Sequence, residues 1–405
     1  MALAARRTPG PTVPTREEVK ARAEAMMPLV RELTLKGERE ARVADEVIEA
    51  FRGAEIHRAL QPRRYGGWER GYETVIDVSA TLAEGCASTA WVCGLYMIHN
   101  WLLTLFPEAA QDEIWSGNPG VSISGSYAPA GTAVAVDGGY RLSGRFKFSS
   151  GCPHADWNLC SAMLPTGDGE TRMPAFTLIP RADYAIDWDS WDNVGLSATG
   201  SYDVLVDDAF LPAHRVLPFA EATTGIAPGL PAHDNPMYRI PMLACVPYTL
   251  AIPPVGAARG ALDAFVEENR SRETRGAVVS GGRQVSDYQT VQKRVGEAEA
   301  LIDSCLVVAY RDIAETQEEV AANGTVSLET RMRNRRSQSF ITHQAVTAID
   351  LILASVGGRS MHASHPVQRA WRDIHSAAAH ISLNHDAVMS MIGQYRFGLE
   401  PHGQY

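Results

Sequence analysis

The period of the hydrophobic pattern changes twice along this chain, and that double change constrains the fold more than any single motif. From about Thr15 to Trp115 apolar residues recur at three- and four-residue spacings, as on one face of a helix. From about Gly120 to Pro218 they fall into short runs separated by Gly, Pro and Asp, and from Ile240 onward the helical spacing returns. The pattern predicts an α+β protein in three segments: an N-terminal helical domain over 1–118, a central β domain over 119–236 and a C-terminal helical bundle over 237–405.

Within the first segment, Thr15 and Glu18 carry the capping-box signature, with Val19, Ala23, Met26, Val30 and Leu33 following at helical spacing. The turn residues Pro62 to Gly67 break the helices. Two more follow, Tyr72–Ala83 and Ser88–Phe106, the second so apolar that it should be buried on nearly all sides. In the middle segment the expected strands are Val121–Tyr127, Ala133–Val136, Tyr140–Phe148, Asn158–Leu164, Ala175–Ile179 and Ser201–Val206, enough for a small antiparallel barrel or sandwich. Glu221–Pro236, rich in Ala, Thr, Gly and Pro, reads as a surface loop. Leu250–Arg272, Gln284–Ala321, Leu328–Val356 and Pro366–Arg396 are long enough for a four-helix bundle.

Composition narrows the function. A chain of 405 residues with 45% hydrophobic and 21% charged residues is an ordinary globular protein. A formal net charge of −10 argues against a nucleic-acid binder. No apolar run approaches the ~18 residues of a membrane span, and the start MALAARRTPGPTVPT reads as a short lead without a signal core. The six cysteines form no CxxC pair, which suits reduced thiols in the cytoplasm. There is no GxGxxG after a strand, no GxxxxGK[ST], no HExxH and no GxSxG, so Rossmann, P-loop, zincin and nucleophile-elbow chemistry are disfavoured. His362 and His365 are weak metal candidates, lying in a loop-like stretch without acidic neighbours.

Four features remain. The strand Tyr140–Phe148 runs into Ser149-Ser150-Gly151, small residues that let a flat polar ring approach the backbone and suggest a flavin rather than a nicotinamide; a plain strand-to-turn transition has the same appearance. Trp91 and His99 lie eight apart, nearly on one helix face; His99 is either a base for a phenol or a core histidine bonded to a carbonyl. Arg270, Arg272 and Arg275 suit a phosphate, although Glu267, Glu268 and Glu273 offer them local ion pairs. Gly357-Gly358-Arg359 permits close backbone approach, and His375, His380 and His385 follow at a spacing that does not define one face.

Four stretches, Leu60–Glu69, Ser88–His99, Leu142–Trp157 and Gly357–His380, resemble the acyl-CoA dehydrogenase fold and, more closely, its flavin-dependent monooxygenase branch, the oxygenase components of two-component aromatic hydroxylases. They span nearly the whole chain in the family's order. The resemblance implies reduced FMN or FAD, supplied by a separate NAD(P)H-dependent flavin reductase. It also implies O₂ activation as a flavin C4a-hydroperoxide, a small phenolic or indole-like substrate, and a homotetramer. It assigns Trp91, Ser150 and His380 to the flavin ring with Ser149 adjacent, Arg272 to its phosphate, and Phe148, Gly358 and Arg359 to contact with the cofactor. It assigns His99 to the substrate hydroxyl, with Trp91 nearby and Ser124 or Ser126 assisting. His99, Ser150 and His380 are then the catalytic set. Rivals on the same fold are an acyl-CoA dehydrogenase and an N- or S-oxygenase; a flavin-free binding module is the non-enzymatic one. Against the dehydrogenase, Ala379-His380-Ile381-Ser382 stands where that subfamily carries its carboxylate base, and no Glu lies between Glu329 and Glu400.

Overall fold

The computed structural model describes residues 13–166, 171–274 and 283–405. Helix α1 (Arg16–Glu40) opens on the expected capping box, with both reciprocal bonds between Thr15 and Glu18 present. It is followed by α2 (Asp45–Gly53), α3 (Glu73–Ala83), α4 (Ala87–Leu103) and α5 (Glu108–Gly117). Every residue of α4 is buried. Its sequence contains no Asp, Glu, Lys or Arg, so no face of it needs water.

Among the described residues eight strands follow: β1 (Ile123–Ser126), β2 (Thr132–Val136), β3 (Gly139–Phe146), β4 (Trp157–Pro165), β5 (Arg172–Pro180), β6 (Ala185–Asp187), β7 (Asp203–Pro212) and β8 (Val216–Pro218). The six expected strands are all present. β6 and β8, at three residues each, are too short to show alternation and were not anticipated. The sheet order is β6-β7-β3-β2-β4-β5-β8, with β1 paired to β4 off that path. It is not wholly antiparallel, because β1 and β2 both pair with β4 in parallel. The β2–β4 joint is the single pair Thr132–Met163. Leu142, Phe146, Val204 and Leu211 from one side of that joint share a core with Cys160, Leu164, Ala175 and Ile179 from the other, so the sheet folds onto itself.

The remaining helices are α6 (Phe219–Thr224), α7 (Met242–Cys245), α8 (Tyr248–Asn269), α9 (Gln289–Asn323), α10 (Leu328–Leu353), α11 (Pro366–Ala378) and α12 (His385–Arg396). Two expectations are corrected here. Glu221–Pro236 is not an open surface loop: it begins inside α6, buries Ala222 and Leu230, and holds His233 Nε2 2.8 Å from Gln111 Oε1 of α5. The segment Pro366–Arg396 is not one helix. His380 accepts the Ser382 N–H through its ring and starts a 3₁₀ turn, Ile381–Leu383, between α11 and α12. Neither Pro nor Gly marks that break.

Helices α8 to α11 pack into a bundle, and α8 also packs against α3 and α4. The apolar side chains of the first and last helices therefore form one continuous core, separate from the core of the sheet. Phe51, Phe106, Phe265 and Ile48 are almost wholly excluded from water, each contributing on the order of 2 kcal/mol by burial. All six cysteines are free and buried. Among the described residues no helix is long and apolar enough to cross a membrane, and no three His, Cys, Asp or Glu gather to hold a metal.

Candidate active site

The site is assembled where α4 passes under the end of β3. Trp91 Nε1 donates to Ser150 Oγ at 3.2 Å, and five residues on Tyr96 Oη donates to the Gly151 carbonyl at 2.6 Å. Gly151 has φ +78°, and a Cβ there would stand 2.8 Å from Tyr96 Oη and 2.9 Å from Val92 Cγ1. Only glycine allows the backbone this close to the helix. The opposite edge of Ser150 forms a backbone bridge with Gly125 of β1.

Gly125 in turn faces His99: a Cβ on it would lie 3.0 Å from His99 Cε1 and 3.3 Å from Nε2. His99 Nδ1 lies 2.6 Å from the Ile123 carbonyl, which can only accept, so Nδ1 carries the hydrogen of the neutral ring. Nε2 is left with a bare lone pair, buried and without a hydrogen-bond partner among the described residues. Burial holds the pKa of His99 down at about 4, against the opposing pull of the Ile123 bond. A 1% exposed imidazole with one nitrogen clamped and the other unpaired is an acceptor awaiting a donor. The Tyr127 ring lies 5.7 Å away, and its hydroxyl is likewise buried without a partner among the described residues.

His380 shows the opposite polarity. Its ring packs edge-on to Trp91 at 5.7 Å, and its Nδ1 accepts the Ser382 N–H at 3.2 Å, so the hydrogen of the neutral ring sits on Nε2. Burial, and secondarily the Arg335 guanidinium, lowers its pKa to about 4. Arg335 is itself buried with no carboxylate partner among the described residues; it donates to Gln338 Oε1 and to the Ser382 and Gln404 carbonyls.

The two serines of β1 point elsewhere. Strand alternation puts Ser124 and Ser126 on the face away from Gly125 and His99. Asn158 Nδ2 bridges Ser124 Oγ at 2.8 Å and Ser149 Oγ at 2.6 Å, while Ser126 Oγ donates to the Lys147 carbonyl at 2.7 Å. Neither hydroxyl reaches His99. Ser149 supports the strand end from behind through Asn158. Phe148 is 63% exposed at φ +59°, a conformation disfavoured for an aromatic residue, with its ring 6.3 Å from Trp191.

Arg272, Gly358 and Arg359 form a separate group. Arg272 packs against the glycine turn so closely that a Cβ on Gly357 would lie 2.7 Å from its Nη2. The local ion pairs allowed for in the sequence are present: Arg272 lies 3.5 Å from Glu268 and Arg270 3.6 Å from Glu267. Glu268 is shared with His365 at 2.8 Å, and Gly358 and Arg359 are exposed. Arg275 lies outside the described residues. No hydrogen bond or ring contact among the described residues joins this group to Trp91 and Ser150.

Sequence reasoning missed Tyr96, Asn158, Thr199 and Ser201. Asn158 carried a usable signal, being a polar residue at a fully buried position of an apolar strand. Thr199 and Ser201 carried none beyond two hydroxyls in a small-residue turn.

The donor set fits a flavin. A glycine-backed strand end meets an indole, the Ser150 hydroxyl lies within it, and an unpaired buried imidazole stands one strand away, with no metal-ligand cluster among the described residues. Fold and site together define a flavoprotein oxygenase of the acyl-CoA dehydrogenase fold. Residues 248–385 match the family model described as acyl-CoA dehydrogenase, C-terminal domain. The chain is 42% identical over 382 residues to the FADH(2)-dependent resorcinol hydroxylase, oxygenase component, of Rhizobium sp. (strain MTP-10005), covering 93% of each chain. It is 35% identical to the flavin-dependent monooxygenase, oxygenase subunit HsaA, of Rhodococcus jostii (strain RHA1), covering 93% of this chain and 98% of that one. Among solved structures, 3-HSA hydroxylase from Rhodococcus sp. RHA1 superposes with a TM-score of 0.89 at 35% identity, covering 96% of this chain and 98% of that one. XiaF from Streptomyces sp., in complex with FADH2 and glycerol, gives 0.86 at 30% identity, covering 96% and 97%. The chain belongs to the family of flavin-dependent monooxygenase oxygenase components, which use reduced flavin and O₂.

Proposed function

We propose that this chain hydroxylates a small phenolic ring, with an indole-like ring as the alternative substrate class, using reduced FMN or FAD delivered by an NAD(P)H-dependent reductase. The observation that carries the reading is His99: Nδ1 clamped to the Ile123 carbonyl, Nε2 buried and unpaired. A phenol O–H is the donor this lone pair lacks. The relatives' printed substrates, a resorcinol hydroxylase among them, support the same class.

The bound reduced flavin supplies the electrons that activate O₂ for transfer of one oxygen atom. The protein's own part begins with the proton. A phenol has a pKa of about 10 and His99 one of about 4, so His99 does not hold a phenolate in advance. It accepts the hydrogen bond in the ground state and takes the proton at Nε2 as the ring becomes electron-poor during attack, the timing general-base catalysis requires. Ser150 and Trp91 orient the flavin ring, and His380 offers an N–H donor beside them. The α4 side is buried along its whole length, which helps keep stray water from an oxidising site. Arg272 with the Gly357–Arg359 turn takes the flavin phosphate of a neighbouring protomer, within a homotetramer built on the C-terminal helices. A cytoplasmic location completes the reading, supported by six unpaired thiols.

The test mixes the protein with chemically reduced FMN or FAD, O₂ and a panel of phenols and indoles, and measures hydroxylated product against hydrogen peroxide. Product from at least one phenol is expected. Peroxide alone with every ring, together with reduction of bound oxidised flavin by an acyl-CoA, would move the chain to dehydrogenase chemistry.

A further inference from the structure

A chain of hydroxyls runs behind Ser150, and its direction is fixed at both ends. Thr199 Oγ1 lies 2.7 Å from the Leu196 carbonyl and 2.6 Å from Ser201 Oγ. Ser201 Oγ lies 2.7 Å from Ser150 Oγ, which lies 3.2 Å from Trp91 Nε1. A carbonyl oxygen only accepts, so the single hydroxyl hydrogen of Thr199 is committed to Leu196. Thr199 must then accept from Ser201, which spends the Ser201 hydrogen. Ser201 must accept from Ser150, which spends the Ser150 hydrogen. The indole N–H at the other end only donates, so Ser150 accepts there. All four side chains are buried, leaving no bulk water to reverse the sequence.

Ser150 is therefore left with one unused lone pair and no hydrogen to give. We infer that Thr199 and Ser201 are positioning residues that make Ser150 an acceptor only, so that this strand end selects a reduced flavin over an oxidised one. The chemistry follows from the ring: the central nitrogen of a flavin carries hydrogen when reduced and a bare lone pair when oxidised. An acceptor-only Ser150 satisfies the first and opposes the second lone pair to lone pair. The inference rests on the flavin reading given above for Ser150, and concerns which redox form the site prefers and which residues set that preference.

The turn that ends the relay is anchored independently. Leu196 sits at φ +53° and donates its N–H to Asp373 of α11 at 2.6 Å. A Cβ on the preceding Gly195 would collide with the Arg372 carbonyl at 2.2 Å. The C-terminal bundle thus fixes the carbonyl that fixes the hydroxyls.

The experiment titrates the full-length protein with oxidised FMN and FAD, and anaerobically with the same flavins reduced by dithionite, following flavin fluorescence and absorbance. Wild type should bind the reduced form more tightly. Ser201→Ala releases the Ser150 hydrogen, and Thr199→Val lets Ser201 turn back toward Ser150 and release it as well. Both should improve oxidised-flavin binding and shrink the reduced-to-oxidised preference by roughly three- to tenfold, the worth of one neutral hydrogen bond. A tenfold change also lowers the midpoint potential of the bound two-electron couple by about 30 mV. Thr199→Ser, which keeps the hydroxyl, should leave the ratio at its wild-type value. In a Ser150→Ala background, Ser201→Ala should change nothing further. A preference kept intact by both Ser201→Ala and Thr199→Val would overturn the relay while leaving the flavin site standing. Equal wild-type affinity for the two redox forms would overturn it as well. No binding of either form would remove the flavin reading and this inference with it.

Discussion

The end of α4 and the turn after α11 each hold a buried, neutral histidine, and the two are wired in opposite senses. His99 gives its Nδ1 hydrogen to a strand carbonyl and keeps a lone pair for the site. His380 uses its Nδ1 lone pair to cap a turn and keeps a hydrogen at Nε2. Burial lowers both to about 4, so neither difference in charge nor difference in basicity separates them. What separates them is the backbone group each one meets: a carbonyl at a strand edge, an N–H at a helix start. One chemical group thus presents a buried acceptor in one place and a ring N–H in the other without any titration.

The largest expected effect tests the acceptor. His99→Ala should lower hydroxylation by about 10²–10⁴ while reduced-flavin affinity changes less than about twofold, with the oxygen appearing as hydrogen peroxide. Parallel loss of flavin binding would place His99 in a general structural role and end the contrast. Acid stability comes next. His57 (about 3), His99, His233 and His380 (about 4 each) are all held below the ordinary 6.5 by burial. Between about pH 6.5 and 4 the unfolded chain then binds more protons than the folded one, so stability is complete above that window and falls as pH drops through it. His99 alone is worth roughly 3 kcal/mol across the window, and His99→Gln should flatten the decline in urea midpoint between pH 7 and 4. An identical slope in that variant would show that His99 is not buried in its neutral form.

A smaller effect is expected on the donor side. On the proposed assignment of His380 to the flavin, His380→Ala should raise the peroxide fraction by about three- to tenfold with product regiochemistry unchanged. A shift of regiochemistry would contradict that assignment. Nitrogen-15 shifts of selectively labelled histidine should report the Nδ1–H tautomer for His99 and the Nε2–H tautomer for His380, and the same tautomer at both positions would dissolve the contrast.

What the sequence revealed of this arrangement followed from how local each signal is. The helical period exposed α4, and with it the shared face of Trp91 and His99, since the spacing along one helix is a local property. The strand ending at Ser149-Ser150-Gly151 was visible for the same reason. The relay was not, because Ser150 and Ser201 are brought together only by tertiary folding, across 51 positions of chain. Nor was the role of Gly125. Alternation placed Ser124 and Ser126 on one face, but which face turned to His99 depended on the parallel register of β1 with β4. The break at His380 escaped because a histidine ring does the capping that Ser or Asp normally does.

One more property of the fold bears on survival under turnover. A flavoprotein that misfires releases hydrogen peroxide within its own walls, and the form of cysteine that peroxide attacks is the thiolate. Cys86, Cys93, Cys152, Cys160, Cys245 and Cys305 are all buried, and desolvation raises every one of their pKa values, Cys152 and Cys305 to about 12. Its sulfur is stored in the protonated state, so the catalyst is poorly flammable fuel for its own by-product.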